Sequence, residues 1–253
     1  TSQVEGMEYL FYGLESIKEL DISNLDLSKV TGLYYFFGEC KSLTSLHINL
    51  IAPKAISLYY FFANCSSLRS LKISNFELPI AVDMSYMFYN LKSLISLDLS
   101  ALYAPKVSSM YCMFAKCSSL ISINFTGFDT SSSYNMNNMF EGCSSLISLD
   151  LSSFSFNQVN IRNFCNQCYS LTSIKFSSEY QLPTNVVGMF KGCSSLLYVD
   201  LSNFDFGIIE DMQELFYDCT ELTSINLSNF DTFSVTNMEY MFYGCSSLTE
   251  INA

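Results

Sequence analysis

The chain has no tryptophan, one histidine and four prolines, and its 12 lysines and arginines are set against 24 acidic residues. Each shortage closes off a class of function. A net charge of −12 leaves no basic stripe to displace counterions from phosphates, so nucleic acid is not an expected partner. The acidity reads instead as a solvated surface, because the oxygen-rich calcium loops, DxDxDG or a Gly-Asp nonapeptide, do not occur. No apolar run approaches ~18 residues, so no membrane insertion is expected within this chain. Glycines number ten, and none builds a GxxxxGK or GxGxxG phosphate cradle. The single histidine, His47, falls in a strand-outward slot beside serines that recur by period, which gives no Ser-His-Asp constellation. No enzyme, no cofactor and no metal are expected.

What is present is repetition. The stretch "MFEGCSSLISLDLSSF" from Met139 returns as "MFAKCSSLISINFTGF" from Met113, "MFKGCSSLLYVDLSNF" from Met189 and "MFYGCSSLTEINA" from Met241. Aligned on the residue after the second Met-like position, the series is Phe11, Phe37, Phe62, Phe88, Phe114, Phe140, Cys165, Phe190, Phe216 and Phe242, in steps of 25 or 26. Self-similarity at such a period means a solenoid, in which no unit buries its apolar face without a neighbour. About ten units fill residues 1–253 as one domain with no linker. Within a unit, Met136, Met139, Phe140, Cys143 and Leu146 follow the spacing of one face of a short helix. Leu146, Leu149 and Leu151 then read LxxLxL, ending in strand-like alternation. Pro53, Pro79, Pro105 and Pro183 all fall in the return segment, where no ladder hydrogen bond is lost.

LxxLxL at this period resembles a leucine-rich repeat. The fuller signature NMxxMFxGCSSLxSLDLSNFDT resembles the BspA-like class, specifically the Mycoplasma-type DUF285 repeats of bacterial and protist surface proteins, and the resemblance covers the whole chain. The expected fold is an α/β solenoid: a right-handed leucine-rich-repeat array of about ten 25–26-residue units, with a parallel sheet on one face and short helices on the other. In one respect the chain departs from ordinary leucine-rich repeats. The usual ninth-position asparagine is replaced by Leu25, Phe76, Phe128, Phe154, Phe204 and Phe230, a phenylalanine spine in place of an asparagine ladder.

Eight of the ten cysteines form a column: Cys40, Cys65, Cys117, Cys143, Cys168, Cys193, Cys219 and Cys245. Neighbouring rungs lie within disulfide reach in principle, but the same slot holds Leu14 and Leu91. That favours a packing ladder of buried thiols. Cys165 and Cys168 spell CxxC without the second pair or nearby histidines that zinc requires.

Surfaces remain. The outward sheet slots carry a serine column beside a mixed column from Asp21 and His47 to Asn226, with few aromatic anchors for a protein partner. On the other side, Tyr9, Tyr35, Tyr60, Tyr86 and Tyr240 share one slot, pointing away from the Met/Phe/Cys face; they form a candidate interaction stripe. Tyr34, Tyr59 and Tyr111 stand one place earlier. Asn64, Asn124 and Asn226 head sequons and are candidate glycan acceptors. In the seventh unit Glu179 replaces the spine phenylalanine, which marks it as the place for a bend or a unique site.

Neither end shows the polar cap that repeat proteins need, so the array is expected to be uncapped at both ends. The leading expectation is a non-enzymatic extracellular or cell-surface structural repeat protein that associates with itself head to tail through its solenoid ends, an open contact that builds a filament. The alternative, implied by the resemblance, is an adhesin or ligand-binding module for a host or matrix protein or a glycan.

Overall fold

A computed structural model describes residues 3–22 and 25–252. Thr1, Ser2 and Ala253, on which the expectation of uncapped ends rests, lie outside the described residues, as do Ser23 and Asn24.

From the second unit on, the alternating end of each LxxLxL makes a short strand, and one further short strand, β4, forms in a return segment. In chain order these are β1 (Ser45–Ile51), β2 (Ser70–Glu77), β3 (Ser96–Asp98), β4 (Leu102–Tyr103), β5 (Ser122–Asn124), β6 (Ser148–Leu151), β7 (Ser173–Phe176), β8 (Tyr198–Asp200), β9 (Ser224–Asn226) and β10 (Glu250–Asn252). All pair in parallel, in the orders β1-β2-β4, β3-β5, β6-β7 and β8-β9-β10. A parallel partner one repeat away is what a coil of constant pitch supplies, since each turn brings the chain back in the same direction. The register keeps equivalent repeat positions over one another: Ser96 faces Ser122, Asp98 faces Asn124, and Asp150 faces Lys175. In β6, Leu149 and Leu151 point inward and are buried while Ser148 and Asp150 are exposed.

The core is a set of vertical columns. The ladder phenylalanines Phe11, Phe37, Phe62, Phe88, Phe114 and Phe140 stack nearly parallel at 5.4 to 5.6 Å between ring centres. Cys165 interrupts the column, and Phe164 turns edge-on to Phe140 at 5.1 Å in its place. The stack resumes from Phe190 through Phe216 to Phe242. The expected spine is also packed: Phe76, Phe128, Phe154 and Phe204 are buried. Where Glu179 breaks it, the buried Gln181 enters, its Oε1 accepting from the Phe156 N–H at 2.7 Å and its Nε2 donating to the Glu179 carbonyl.

The cysteine column is a line of free thiols, seven of them buried. Each donates to a backbone carbonyl one rung back: Cys65 to Phe37, Cys117 to Phe88, Cys143 to Phe114 and Cys168 to Phe140, at 3.0 to 3.1 Å. The Phe114 carbonyl already accepts from the Cys117 N–H in its own turn, so the thiol occupies its second lone pair. These cysteines are therefore weak donors as well as small apolar fillers.

The short helices expected on the second face are absent; no described residue is helical. The reason lies in the backbone. Two residues per turn, two before and two after the ladder position, have positive φ: Asn138 at 59° and Gly142 at 71°, Asn163 at 53° and Gln167 at 61°. A right-handed helix cannot pass through left-handed residues at such spacing. The hydrogen bonds follow suit. The N–H groups of Met136, Asn138, Phe140 and Gly142 reach the carbonyls of Asn160, Arg162, Phe164 and Asn166 on the next rung, at 2.8 to 2.9 Å. Those of Met139, Glu141 and Cys143 close three-residue-back turns onto Met136, Asn138 and Phe140. Half the donors bind the neighbouring rung and half stay local, so the face is a column of linked turns.

Candidate interaction surface

The positive-φ slot two residues before the ladder position is where the tyrosine stripe sits. Tyr9, Tyr35, Tyr60 and Tyr86 have φ of 59°, 55°, 58° and 58°. In later turns the same slot holds Asn138, Asn163 and Gly188, residue types that take this conformation readily, besides Cys112 and Glu214. A bulky side chain there costs about 1–2 kcal/mol. The four rings stack along the solenoid axis with centres 4.9, 4.7 and 4.3 Å apart and planes within 23°. Each such pair returns about 0.5–1.5 kcal/mol beyond burial, so the three stacks offset part of the strain, and edge-on contacts with flanking tyrosines add to them.

Further rings enlarge the stripe into a patch. Tyr34 meets Tyr9 edge-on at 5.5 Å, Tyr59 meets Tyr35 at 5.9 Å, and Tyr111 meets Tyr86 at 5.2 Å. Tyr12 packs on Tyr9 at 5.4 Å and Tyr89 on Tyr86 at 5.3 Å. Lys116 closes the far end, its Nζ 5.4 Å from the centre of the Tyr89 ring. Tyr9 is 49% exposed, and the inner rings are half-buried between their neighbours. Because the rings stack face to face, what they turn to solvent is edges and hydroxyls. Burial pushes the Tyr60 phenol up to about 12, with the Tyr59 and Tyr35 phenols adding to it; burial likewise raises Tyr35 and Tyr86. The inner phenols are thus held protonated, and the patch is rich in O–H donors with the Lys116 ammonium at its edge.

Tyr240 occupies the same slot, also with positive φ, but far along the chain, where it contacts Tyr243 and Tyr217 at 5.8 and 6.4 Å. The structure thus unites four of the five stripe residues and sets the fifth in a second, smaller cluster. Tyr12 and Tyr89 were not singled out by the helical reading; their shared slot, one residue after the ladder phenylalanine, is the signal that would have found them.

Of the sequon asparagines, Asn124 is exposed and donates to Asp98 Oδ1 at 3.0 Å, and Asn226 is half-buried. Asn64 is committed to an amide ladder, donating to Glu39 Oε1 and accepting from Asn90 Nδ2, both at 2.6 Å. On the sheet face, His47 Nε2 lies 2.9 Å from Ser74 Oγ. The Ser74 hydroxyl donates to the Ile48 carbonyl, so the imidazole is the donor of this pair, the reverse of a serine activated by a base. Cys165 and Cys168 are buried, and among the described residues no group of His, Cys, Asp or Glu is arranged to hold a metal. No helix among them is long and apolar enough to cross a membrane.

The chain matches the family described as Mycoplasma protein of unknown function, DUF285, over residues 56–179 and 179–252, and the BspA type leucine rich repeat region over residues 5–103. No curated protein matches it. Among solved structures it is similar to a leucine-rich repeat protein from Bacteroides ovatus, at 18% identity over 99% of this chain and 76% of that one, with a TM-score of 0.39. It is similar also to a leucine rich cell surface protein from Faecalibacterium prausnitzii, at 17% identity over 89% and 77% with a TM-score of 0.44. A leucine rich repeat protein of T. pallidum is 16% identical over 91% and 77%, with a TM-score of 0.34. A solenoid of parallel strands repeating every 25 or 26 residues, matched over most of its length by one family, settles the kinship: the chain belongs to the DUF285 family and carries BspA-type leucine-rich repeats.

Proposed function

We propose that this is a non-enzymatic, extracellular or cell-surface repeat protein that recognises a protein partner through its tyrosine face. One observation carries the reading: tyrosine occupies a left-handed slot where asparagine or glycine fits without strain, and stacking offsets that strain without clear surplus. Backbone strain that stability does not require points toward function. Edges and hydroxyls of rigid, pre-stacked rings suit a flat protein surface, since tyrosine gives large amphipathic contact at low entropic cost. Sugars pack on ring faces, and the faces of Tyr35 and Tyr60 are taken by their stacked neighbours.

The test is binding of the labelled chain to immobilised extracellular-matrix proteins, beside a Tyr35→Asn/Tyr60→Asn variant. Saturable binding that collapses in the variant, with an unchanged circular dichroism spectrum, is the expected result. Absence of binding, or equal binding by the variant, would overturn the reading.

A further inference from the structure

On the same turn face, well past the tyrosine patch, the turns of Cys165, Phe190 and Phe216 enclose a groove of about 400 Å³. It opens where Gly192, in the left-handed slot at φ 72°, puts no side chain between Gln167 and Asp218. The groove adjoins the seventh unit, where the repeat is least regular.

Three features make it more than a gap. Asn166, lining the groove, is only 9% exposed, and its Oδ1 has no hydrogen-bond partner. A buried amide oxygen left so costs about 1–3 kcal/mol and calls for a donor. Tyr169 stands on the rim at the position where other turns have Ser118, Ser144 or Ser194. Its ring is 48% exposed, and it enters none of the ring pairs found among the described residues, so unlike the stacked stripe it offers a face. Finally, two lining hydroxyls have their protons engaged, Ser194 Oγ donating to the Tyr169 carbonyl and Thr220 Oγ1 to the Ser194 carbonyl, so toward a ligand they act as acceptors.

The charges discriminate among ligands. Lys191 Nζ lies 2.7 Å from Glu214 Oε1 and 4.9 Å from the centre of the Tyr217 ring. Its ammonium is matched by that carboxylate, and Asp218 adds a further negative charge, so an anion gains nothing here. An acceptor-rich groove with one free aromatic face calls for a neutral ligand that carries many O–H donors and one apolar face. The volume sits near the lower end of ligand pockets, roughly 300–1,000 Å³. We infer that this groove binds a neutral saccharide of one or two residues, with the Tyr169 ring as platform and Asn166 Oδ1 accepting a sugar hydroxyl.

The test is calorimetric or ligand-observed NMR titration of the chain with methyl β-glucoside, methyl β-galactoside, N-acetylglucosamine, lactose and cellobiose. Saturable binding of at least one of them in the millimolar range is expected, weakened about tenfold or more by Tyr169→Ser and by Asn166→Ala. Both replacements already occur at those positions in other turns, as Ser144 and as Ala63 or Ala115, so the fold is retained. Tyr60→Asn leaves this binding unchanged, which separates it from recognition at the tyrosine face. Failure of every sugar to bind, or binding undiminished in both groove variants, would overturn the inference.

Discussion

The first four turns and the later ones share one backbone and differ in what stands on it. At the slot before the ladder phenylalanine, Tyr35, Tyr60 and Tyr86 have φ of 55°, 58° and 58°, and Asn138 and Asn163 have φ of 59° and 53°. In the early turns the slot is filled by strained, stacked rings; in the later ones by Asn138, Asn163 and Gly188, which are at ease in it, and by Cys112, Glu214 and Tyr240, which bear the strain without a parallel ring stack. The conformation is therefore set by the coil and its inter-rung hydrogen bonds, and the side chain is free to serve another end. A solenoid fixes the backbone collectively, and individual turns can carry side chains that no isolated turn would choose.

The strongest test of that shared backbone goes through the core beneath both regions. Phe88→Ala, under the tyrosine face, and Phe190→Ala, under the groove, should each lower unfolding free energy by about 3–5 kcal/mol in urea titration, since both side chains are fully buried. Similar losses would show one continuous core; a much smaller loss at either site would break the comparison. Asn138→Tyr should cost about 1–2 kcal/mol, because the slot's strain returns with only Cys112 and Asn163 as column neighbours and no ring to stack on. Cys143→Ala should cost a similar or slightly smaller amount, through lost volume and a lost donor to the Phe114 carbonyl, with Cys143→Ser partly restoring the donor.

The smallest effect is on pH. The Tyr60 phenol is raised by burial to about 12 from an ordinary value of 10. A raised folded value favours the neutral phenol, so its contribution to stability is complete below about pH 10 and is lost as pH rises from there through about 12. Spectrophotometric titration should show late-ionising tyrosines in the native chain, fewer of them in Tyr60→Asn, and a matching alkaline loss of stability.

Much of the architecture was legible because it is written in period. The 25–26-residue step, the LxxLxL strand, the phenylalanine spine and the cysteine column each recur at a fixed offset, and the structure stacks them as columns. The helices were misread because Met136, Met139, Phe140 and Cys143 have helical spacing, and a curve of linked turns directs the same spacing inward. The correcting signal was local: Gly13, Asn64, Asn90, Gly142, Gly192 and Gly244 all stand two residues after the ladder phenylalanine, where a left-handed residue is needed. The stripe of Tyr9, Tyr35, Tyr60 and Tyr86 was visible as a column. Its strain was not, because strain appears only once φ is known. The groove at Asn166 escaped for a different reason: it combines Tyr169, where most turns have serine, threonine or a charged residue, and Asn166, in a slot of no fixed type, with the recurrent Gly192 of the next rung, and such combinations gain meaning only when the rungs are superposed.

The central claim is that the tyrosine stripe is held for recognition at no net gain in stability. The most direct measurement is the unfolding free energy of Tyr60→Asn, which removes one strained residue, the two stacks it makes with Tyr35 and Tyr86, and its tilted contacts with Tyr59 and Tyr89. The account expects a value within about 1 kcal/mol of the native chain. A loss of about 3 kcal/mol or more would mean that the rings are structural, and the claim would fall.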